Sequence, residues 1–170
     1  MTMEPGILAD TPAVRLTRPV RRIVNGLAAI PPSLPLLLLR CALAVPFWRS
    51  GLTKWDGFLR LSDNAVLLFT EEFRLHLFGA AYAYPLPHLM AYLSATGEIV
   101  LPVLLVLGLC TRLSALGILA MTAIIQLTIP DGWANFHLPW AAMALAIVTF
   151  GPGHLALDPL LAAALRRKAA

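Results

Sequence analysis

The sequence predicts an all-α fold: an integral membrane four-helix bundle with an additional interfacial amphipathic helix in the first external loop. Two observations carry this prediction. Hydrophobic residues make up 59% of the 170 residues and charged residues only 13%, which is about half the charged fraction of a soluble domain. The apolar residues also gather into four runs, and about 20 apolar residues suffice for a helix to cross the hydrocarbon.

The spans follow a basic tail and end in a second one. We predict a cytoplasmic basic tail over residues 1–32, suited to lie on anionic head groups, a membrane domain over 33–162, and a basic cytoplasmic tail over 163–170. The four predicted spans are residues 33–52, 88–109, 112–129 and 136–150. The fourth run is the shortest, so its ends are expected to extend toward Trp133 and His154.

The distribution of Lys and Arg predicts the orientation. With the N-terminus inside, the inner side carries Arg15, Arg18, Arg21, Arg22, Arg112, Arg166, Arg167 and Lys168, and the outer side carries Arg49, Lys54, Arg60 and Arg74. This excess places both termini in the cytoplasm. The net charge of +4 is confined to the chain ends rather than to one face of a soluble domain, which excludes nucleic-acid binding.

The first external loop, residues 53–87, is too long to be a simple connector. Ser62 is a helix-capping residue type, Gly79 is a helix-stopping one, and apolar residues recur between them at helical spacing. We therefore predict a single amphipathic helix over 62–79. It either lies in the outer interface or forms a lid over a cavity between the spans.

Two charged side chains fall inside predicted spans. By helical rise, Arg40 lies about 10 Å from the inner end of its span and Glu98 about 16 Å, a difference that an arginine side chain can bridge. Small residues at Ala44 and Gly51 allow close approach of a neighbouring helix. We therefore predict that the first two spans are in contact and that Arg40 faces Glu98. The pair either locks the two helices or lines a polar pocket.

The remaining polar residues give weaker signals. Gln126 and His137 are each explained by a helix–helix hydrogen bond or by an interface position, and Trp48 is an interfacial aromatic at the outer end of the first span. The His residues lack the spacing of metal ligands, so no metal site is predicted. The two cysteines, Cys41 and Cys110, are interpreted as packing residues.

The order of these motifs resembles the DoxX family of small bacterial membrane proteins. The matching segments are LLLLRCALAVPFWRSGLTKW, ATGEIVLPVLLVLGLCTRLSALGILAM and FGPGHLALDPLL, within about residues 33–162. The resemblance implies a four-helix bundle in the bacterial cytoplasmic (inner) membrane. It also implies that Arg40, Lys54, Glu98 and Arg112 match the polar positions of the family. Many members carry Gly-Gly after the in-span Glu, where this chain has Ile99 and Val100.

The resemblance favours two hypotheses of function. In the first, the chain is a membrane subunit of a quinone-linked oxidoreductase complex, with no covalently bound cofactor of its own. Arg40 would then polarise a quinone carbonyl, Glu98 would relay protons, and Trp48, Lys54 and Gln126 would complete the pocket. In the second, it is a non-enzymatic membrane partner for the maturation or export of a redox or metal-handling protein, with loop 53–87 as the contact surface. Partners besides the bilayer would be a redox-enzyme subunit, an exported protein or further copies of the chain.

Overall fold

The computed structural model describes residues 18–169 and the side chains of residues 20–168. The chain divides into two units, 1–31 and 32–170, close to the predicted boundary at residue 32. The first unit contains helix α1 (Arg18–Ala28). The part of the predicted tail up to residue 17, which includes Arg15, lies outside the described residues.

The second unit contains the predicted spans. In chain order it comprises α2 (Ser33–Leu52), α3 (Asp63–Leu67) continued by a π-helical turn (Leu68–Glu72), β1 (Arg74–Leu77), β2 (Ala80–Ala83), α4 (Pro87–Leu107), α5 (Thr111–Thr128), a 3-10 turn (Pro130–Gly132), a π-helical turn (Trp133–His137), α6 (Leu138–Phe150) and α7 (Leu157–Ala169). Within residues 18–169, four segments are long and apolar enough to cross a membrane. The prediction of an all-α membrane bundle is confirmed, and the protein is a multi-pass membrane protein.

The first two spans pack closely, as the small residues predicted. An added Cβ at Gly51 would lie 3.0 Å from the backbone carbonyl carbon of Glu98 and 2.9 Å from Ile99 Cδ1. The predicted contact face of α2 is buried at Arg40, Ala44 and Gly51. Only a residue without a side chain allows this approach, so the Gly51 position fixes which turns of α2 and α4 are level with each other.

The four spans share one apolar core. Its buried members are Leu43, Ala44, Phe47, Leu105, Ala115, Ile118, Ala144 and Ile147, contributed by α2, α4, α5 and α6. Leu38, Leu113, Leu145 and Phe150 instead stay at least half exposed on the outside of the bundle. Such an apolar exterior is what lipid-facing helices require.

The two ends of the bundle differ. One end holds the tight turn between α4 and α5 and the start of α2, where the His154 amide donates to Ser33 Oγ at 3.0 Å. We call it the turn end. The other end holds residues 53–86 and 129–137, and we call it the loop end. The fourth span reaches back to Pro130 there, so the expected extension toward Trp133 is confirmed. At its other end the helix stops at Phe150, so the expected extension toward His154 is wrong.

The prediction of one helix over 62–79 is wrong beyond residue 72. Ser62 caps α3 as expected, since its Oγ accepts from the Ala65 amide at 3.2 Å, but the helix ends at Glu72. Residues Arg74–Leu77 and Ala80–Ala83 pair as an antiparallel hairpin. Its two-residue turn has φ of 52° at Phe78 and 82° at Gly79, the left-handed values that such hairpins need. Gly79 is therefore a hairpin residue rather than a helix stop.

Both terminal helices are amphipathic. In α1 the apolar residues Val20, Ile23, Val24 and Leu27 recur at helical spacing and are exposed. Helix α7 continues through residue 169, so the predicted basic tail from residue 163 is helical and its boundary lies inside one element.

Candidate functional site

The central feature of the loop end is a buried ion pair between Lys54 and Glu98. Lys54 Nζ lies 2.6 Å from Glu98 Oε2, and the two residues are 8% and 3% exposed. Lys54 follows the last turn of α2, and its side chain folds back to donate to Ser50 Oγ at 2.8 Å. Ser94, one turn before Glu98 on α4, donates to Glu98 Oε1 at 3.1 Å. Each charge is therefore paired and hydrogen-bonded, and these interactions offset the desolvation cost of burying both charges.

The predicted pair of Arg40 and Glu98 is wrong. Arg40 reaches the carbonyls that end α4, whereas Glu98 lies level with Gly51. Positions 40 and 51 are eleven residues apart, which corresponds to about 16 Å along a helix. The prediction set the inner ends of the two helices level, but α2 begins roughly two turns before the level at which α4 ends. Periodicity within each helix was sufficient to find the contact face but not the axial offset.

Arg40 instead closes the C-terminus of α4. Its Nη1 donates to the carbonyls of Leu105 and Val106, both at 3.4 Å, and its Nη2 donates to the carbonyl of Leu155. The last carbonyls of a helix have no intrahelical partner and carry partial negative charge, so a guanidinium there is stabilising. Gly108 leaves room for this side chain, because a Cβ at that position would overlap Arg40 Nη1.

Asp158 closes the next helix from across the same turn. Its carboxylate accepts from the amides of Cys110 at 2.7 Å and Thr111 at 2.9 Å, which are the first amides of α5. Burial opposes ionisation of Asp158, but these hydrogen bonds and the charge of Arg40 outweigh it and hold the carboxyl pKa below its ordinary value of 3.8. Among residues 20–168, Arg40 Nε and Thr111 Oγ1 are the buried side-chain nitrogen and oxygen atoms that have no hydrogen-bond partner.

The ion pair lies on the wall of a cavity of about 750 Å³ at the loop end. The lining residues are Pro46, Phe47, Ser50, Lys54, Phe69, Phe73, Tyr84, Met90, Leu93, Ser94, Glu98, Met121, Ile124, Ile125, Thr128, Ile129, Asp131, Gly132, Phe136, His137 and Trp140. Most are apolar or aromatic. Leu93, Ile124 and Phe136 among them are about half exposed, so this flank of the cavity is open and apolar.

The first loop covers part of the cavity. Phe69 from the π-helical turn is buried, and its ring meets that of Tyr84 at 5.3 Å. Tyr84 in turn shares a hydrogen bond of 2.5 Å with Thr128 Oγ1 at the end of α5. Burial raises the pKa of the Tyr84 hydroxyl, and the bond to Thr128 opposes this. This placement favours the lid interpretation over a helix that simply lies in the interface.

The cavity lining contains a second polar group. His137 is 3% exposed, and its Nδ1 lies 2.6 Å from Gln126 Oε1. Gln126 Nε2 donates to the Pro130 carbonyl at 3.1 Å. The predicted helix–helix hydrogen bond of Gln126 is thus present, with His137 as its partner. His137 lines the cavity, whereas Gln126 is outside the lining and contacts His137 from behind it.

Of the predicted site residues, Lys54 and Glu98 come together and the others do not join them. Arg40 lies at the turn end. Trp48 is 38% exposed and faces away from the cavity, because residues one apart on a helix point about 100° apart. Its neighbour Phe47 lines the cavity instead and contacts Trp140 with ring centroids 5.1 Å apart. Sequence reasoning did not identify Ser50, Ser94 or Phe47 as members of the site.

The described residues hold no group of three or more His, Cys, Asp or Glu side chains that could bind a metal ion. Cys41 and Cys110 are free thiols. Both lie away from the cavity lining, and Cys110 forms part of the turn that Asp158 closes.

Comparison with known proteins adds a family. A sequence model of the DoxX family matches residues 35–131, more than half of the chain, from α2 to the 3-10 turn after α5. An uncharacterized protein of Haemophilus influenzae is 30% identical over 138 residues, which cover 74% of this chain and 82% of the relative. No solved structure matches the chain. With Lys54, Glu98 and the first three spans inside the matched region, the chain belongs to the DoxX family.

Proposed function

We propose that the loop-end cavity binds the aromatic head group of a quinone, and that the chain is the membrane subunit of a quinone-linked oxidoreductase complex. One observation carries the proposal: a buried, hydrogen-bonded ion pair lies on the wall of a mostly apolar cavity with an open apolar flank. A cavity of about 750 Å³ is of the size and character that small-molecule sites share. An open apolar flank suits a ligand that arrives through the membrane.

One of the two roles predicted from the sequence passes to a different residue. Lys54 replaces Arg40 as the cation that hydrogen-bonds a ring oxygen, and Glu98 remains the group that exchanges a proton. Ser50 and Ser94 hold the two charges in place. Rings on two walls, Phe47 with Trp140 and Phe69 with Tyr84, offer faces for stacking. Electrons would come from a partner protein, since the described residues supply no metal-ligand cluster.

Ligand binding by the purified chain tests the proposal. We expect Lys54→Met and Glu98→Gln each to weaken binding of a short-chain benzoquinol by about tenfold or more, as for loss of a charge-assisted hydrogen bond. The measurement is calorimetric titration of the detergent-solubilised protein. Arg49→Met and Glu72→Gln are matched controls, because both residues are exposed and lie outside the cavity lining.

Equal affinity in wild type and both site variants would refute the proposal. A second readout uses the complex purified from native membranes with a tagged chain. Co-purification of a flavin, haem or iron–sulfur enzyme would supply the electron source, and Glu98→Gln should then lower quinone reduction by that complex.

The exposed hairpin favours a second candidate function, a docking partner for an exported protein. Phe78 at the hairpin tip is fully exposed and Phe58 is 94% exposed, and isolated aromatic side chains of this kind suit a protein contact. Phe78→Asn tests it, because Asn accepts the left-handed backbone of position 78 and so preserves the turn.

In that test, a partner identified by mass spectrometry is quantified beside wild-type and Phe78→Asn chains. An exported protein that is lost with Phe78→Asn would support docking. Retention of every partner by the variant would count against it and leave the quinone proposal unaffected.

A further inference from the structure

His137 is a buried titratable residue to which the quinone arrangement above gives no role. It lies at the start of α6 and lines the cavity, with its ring centroid 5.5 Å from that of Trp140. Gly132 passes so near the ring that an added Cβ would overlap it. The imidazole is therefore held in a fitted slot between the 3-10 turn and α6, which fixes the direction in which each ring nitrogen points.

Gln126 sets the tautomer of this ring. Its Nε2 donates to the Pro130 carbonyl, so its Oε1 is the atom that faces His137. An oxygen can only accept, and His137 Nδ1 must therefore carry the proton. In a neutral imidazole the other nitrogen, Nε2, then has a lone pair and acts as an acceptor. No partner for Nε2 is found among the described residues.

The cavity therefore offers two acceptors from different helices. Glu98 on α4 already accepts from Ser94 and Lys54, yet a carboxylate has about four acceptor positions and can take a further donor. His137 Nε2 is the second acceptor. The carbonyl oxygens of a dione can only accept, so they gain nothing from either group. The hydroxyls of an aromatic diol donate, and each can bond to one of these groups.

We infer that the cavity selects the reduced, dihydroxy form of its aromatic ligand over the dione, with Glu98 accepting from one hydroxyl and His137 from the other. The inference rests on the proposed function, because it names the redox form that the same cavity holds most tightly. Lys54 donates to a ring oxygen in either form and so does not discriminate between them.

Three probes separate the two redox forms: trimethylhydroquinone, trimethylbenzoquinone and the monomethyl ether of the hydroquinone, which has lost one donor. They are titrated anaerobically into the detergent-solubilised full chain at one neutral pH. We expect wild type to bind the diol about tenfold more tightly than the ether, which lacks one of the two hydrogen bonds, and about a hundredfold more tightly than the dione, which lacks both. His137→Phe should weaken diol binding about tenfold and leave the affinity for the dione unchanged.

Gln126→Leu provides a second variant that leaves the imidazole in place. Without the amide oxygen the ring is free to protonate Nε2, and the preference for the diol should shrink while binding of the dione persists. The wild-type ranking of the three probes needs no variant, so it decides the matter even where His137→Phe fails to fold.

The outcomes separate this inference from the proposal beneath it. Equal wild-type affinities for diol and dione would overturn the selectivity and leave the quinone site standing. A uniform loss of all three affinities in a folded His137→Phe chain would also overturn it, because the ring would then only shape the cavity. Binding of none of the probes by wild type would overturn both.

Discussion

Two charged centres lie at opposite ends of the α2–α4 pair, and they use their charges differently. At the turn end, Arg40 and Asp158 direct their hydrogen bonds to backbone groups: the carbonyls that end α4 and the amides that begin α5. At the loop end, Lys54 and Glu98 bond to each other and to two serine hydroxyls beside a cavity of about 750 Å³. Charges that close helix ends stabilise the fold, whereas a pair beside open space retains capacity for a ligand.

The largest loss of stability is expected for a substitution of Arg40. Arg40→Met leaves the carbonyls of Val106 and Leu155 without their donor, and it removes one of the two donors of the Leu105 carbonyl, which keeps the Gly108 amide. We expect the free energy of unfolding to fall by about 3 kcal/mol or more, since each buried unsatisfied group costs about 1–3 kcal/mol. Unfolding in mixed micelles, followed by loss of helicity, measures it. The matched control is Arg49→Met on the same helix. An equal loss of stability in both variants would show that Arg40 has no special stabilising role.

A smaller effect is expected at Asp158. Asp158→Asn keeps the size of the side chain but removes the charge at the N-terminus of α5. It also removes one of the two hydrogen bonds, because the Nδ2 group of Asn cannot accept from a backbone amide, and we expect a total cost of about 2 kcal/mol. Because the folded carboxyl has a pKa below 3.8, its stabilising effect is complete above that value and is lost as the pH falls through the lower folded pKa.

Acid unfolding of both chains checks the sign of this effect. The gap in stability between wild type and Asp158→Asn should be constant near neutral pH and should close below pH 3.8. A difference in stability that widens as the pH falls would contradict the capping role of Asp158.

The smallest change in stability is expected where the change in binding is largest. Removing the loop-end pair as a whole, with Lys54→Met and Glu98→Gln together, should leave the free energy of unfolding within about 1 kcal/mol of wild type, because replacing both members of a buried pair is often neutral. Quinone binding should nevertheless be lost. Lys54→Met alone should be less stable than the double variant, since it leaves Glu98 buried and unpaired. Equal stability of the two would show that the ion pair is not buried in the membrane-embedded protein.

The sequence was sufficient for the spans and for the contact face between the first two, because hydropathy and small-residue spacing are properties of single helices. The partner of Glu98 was not predictable in the same way. It depends on the axial offset of α2 against α4, which Gly51 sets through a close approach that no periodicity reveals. The hairpin was missed because Phe73, Leu77 and their neighbours fit helical spacing. The left-handed backbone at Phe78 and Gly79 instead forms a tight turn that pairs the flanking residues as strands.

The site was predictable to a similar degree. Two of the predicted residues, Lys54 and Glu98, lie together, and both were marked by being charged in or beside a span. His137 gave no comparable signal, since its role depends on Gln126 and on the lack of a side chain at Gly132. Those residues meet only when α5 and α6 are packed side by side.

The closure of the turn end also sets an order of assembly. Arg40 is synthesised 65 residues before Leu105, the first residue whose carbonyl accepts from it. Asp158 is synthesised 48 and 47 residues after Cys110 and Thr111, whose amides donate to it. While the chain is leaving the ribosome, the start of α5 therefore remains uncapped until the last helix begins to emerge. A chain truncated before residue 158 would carry all four spans without the carboxylate that caps α5.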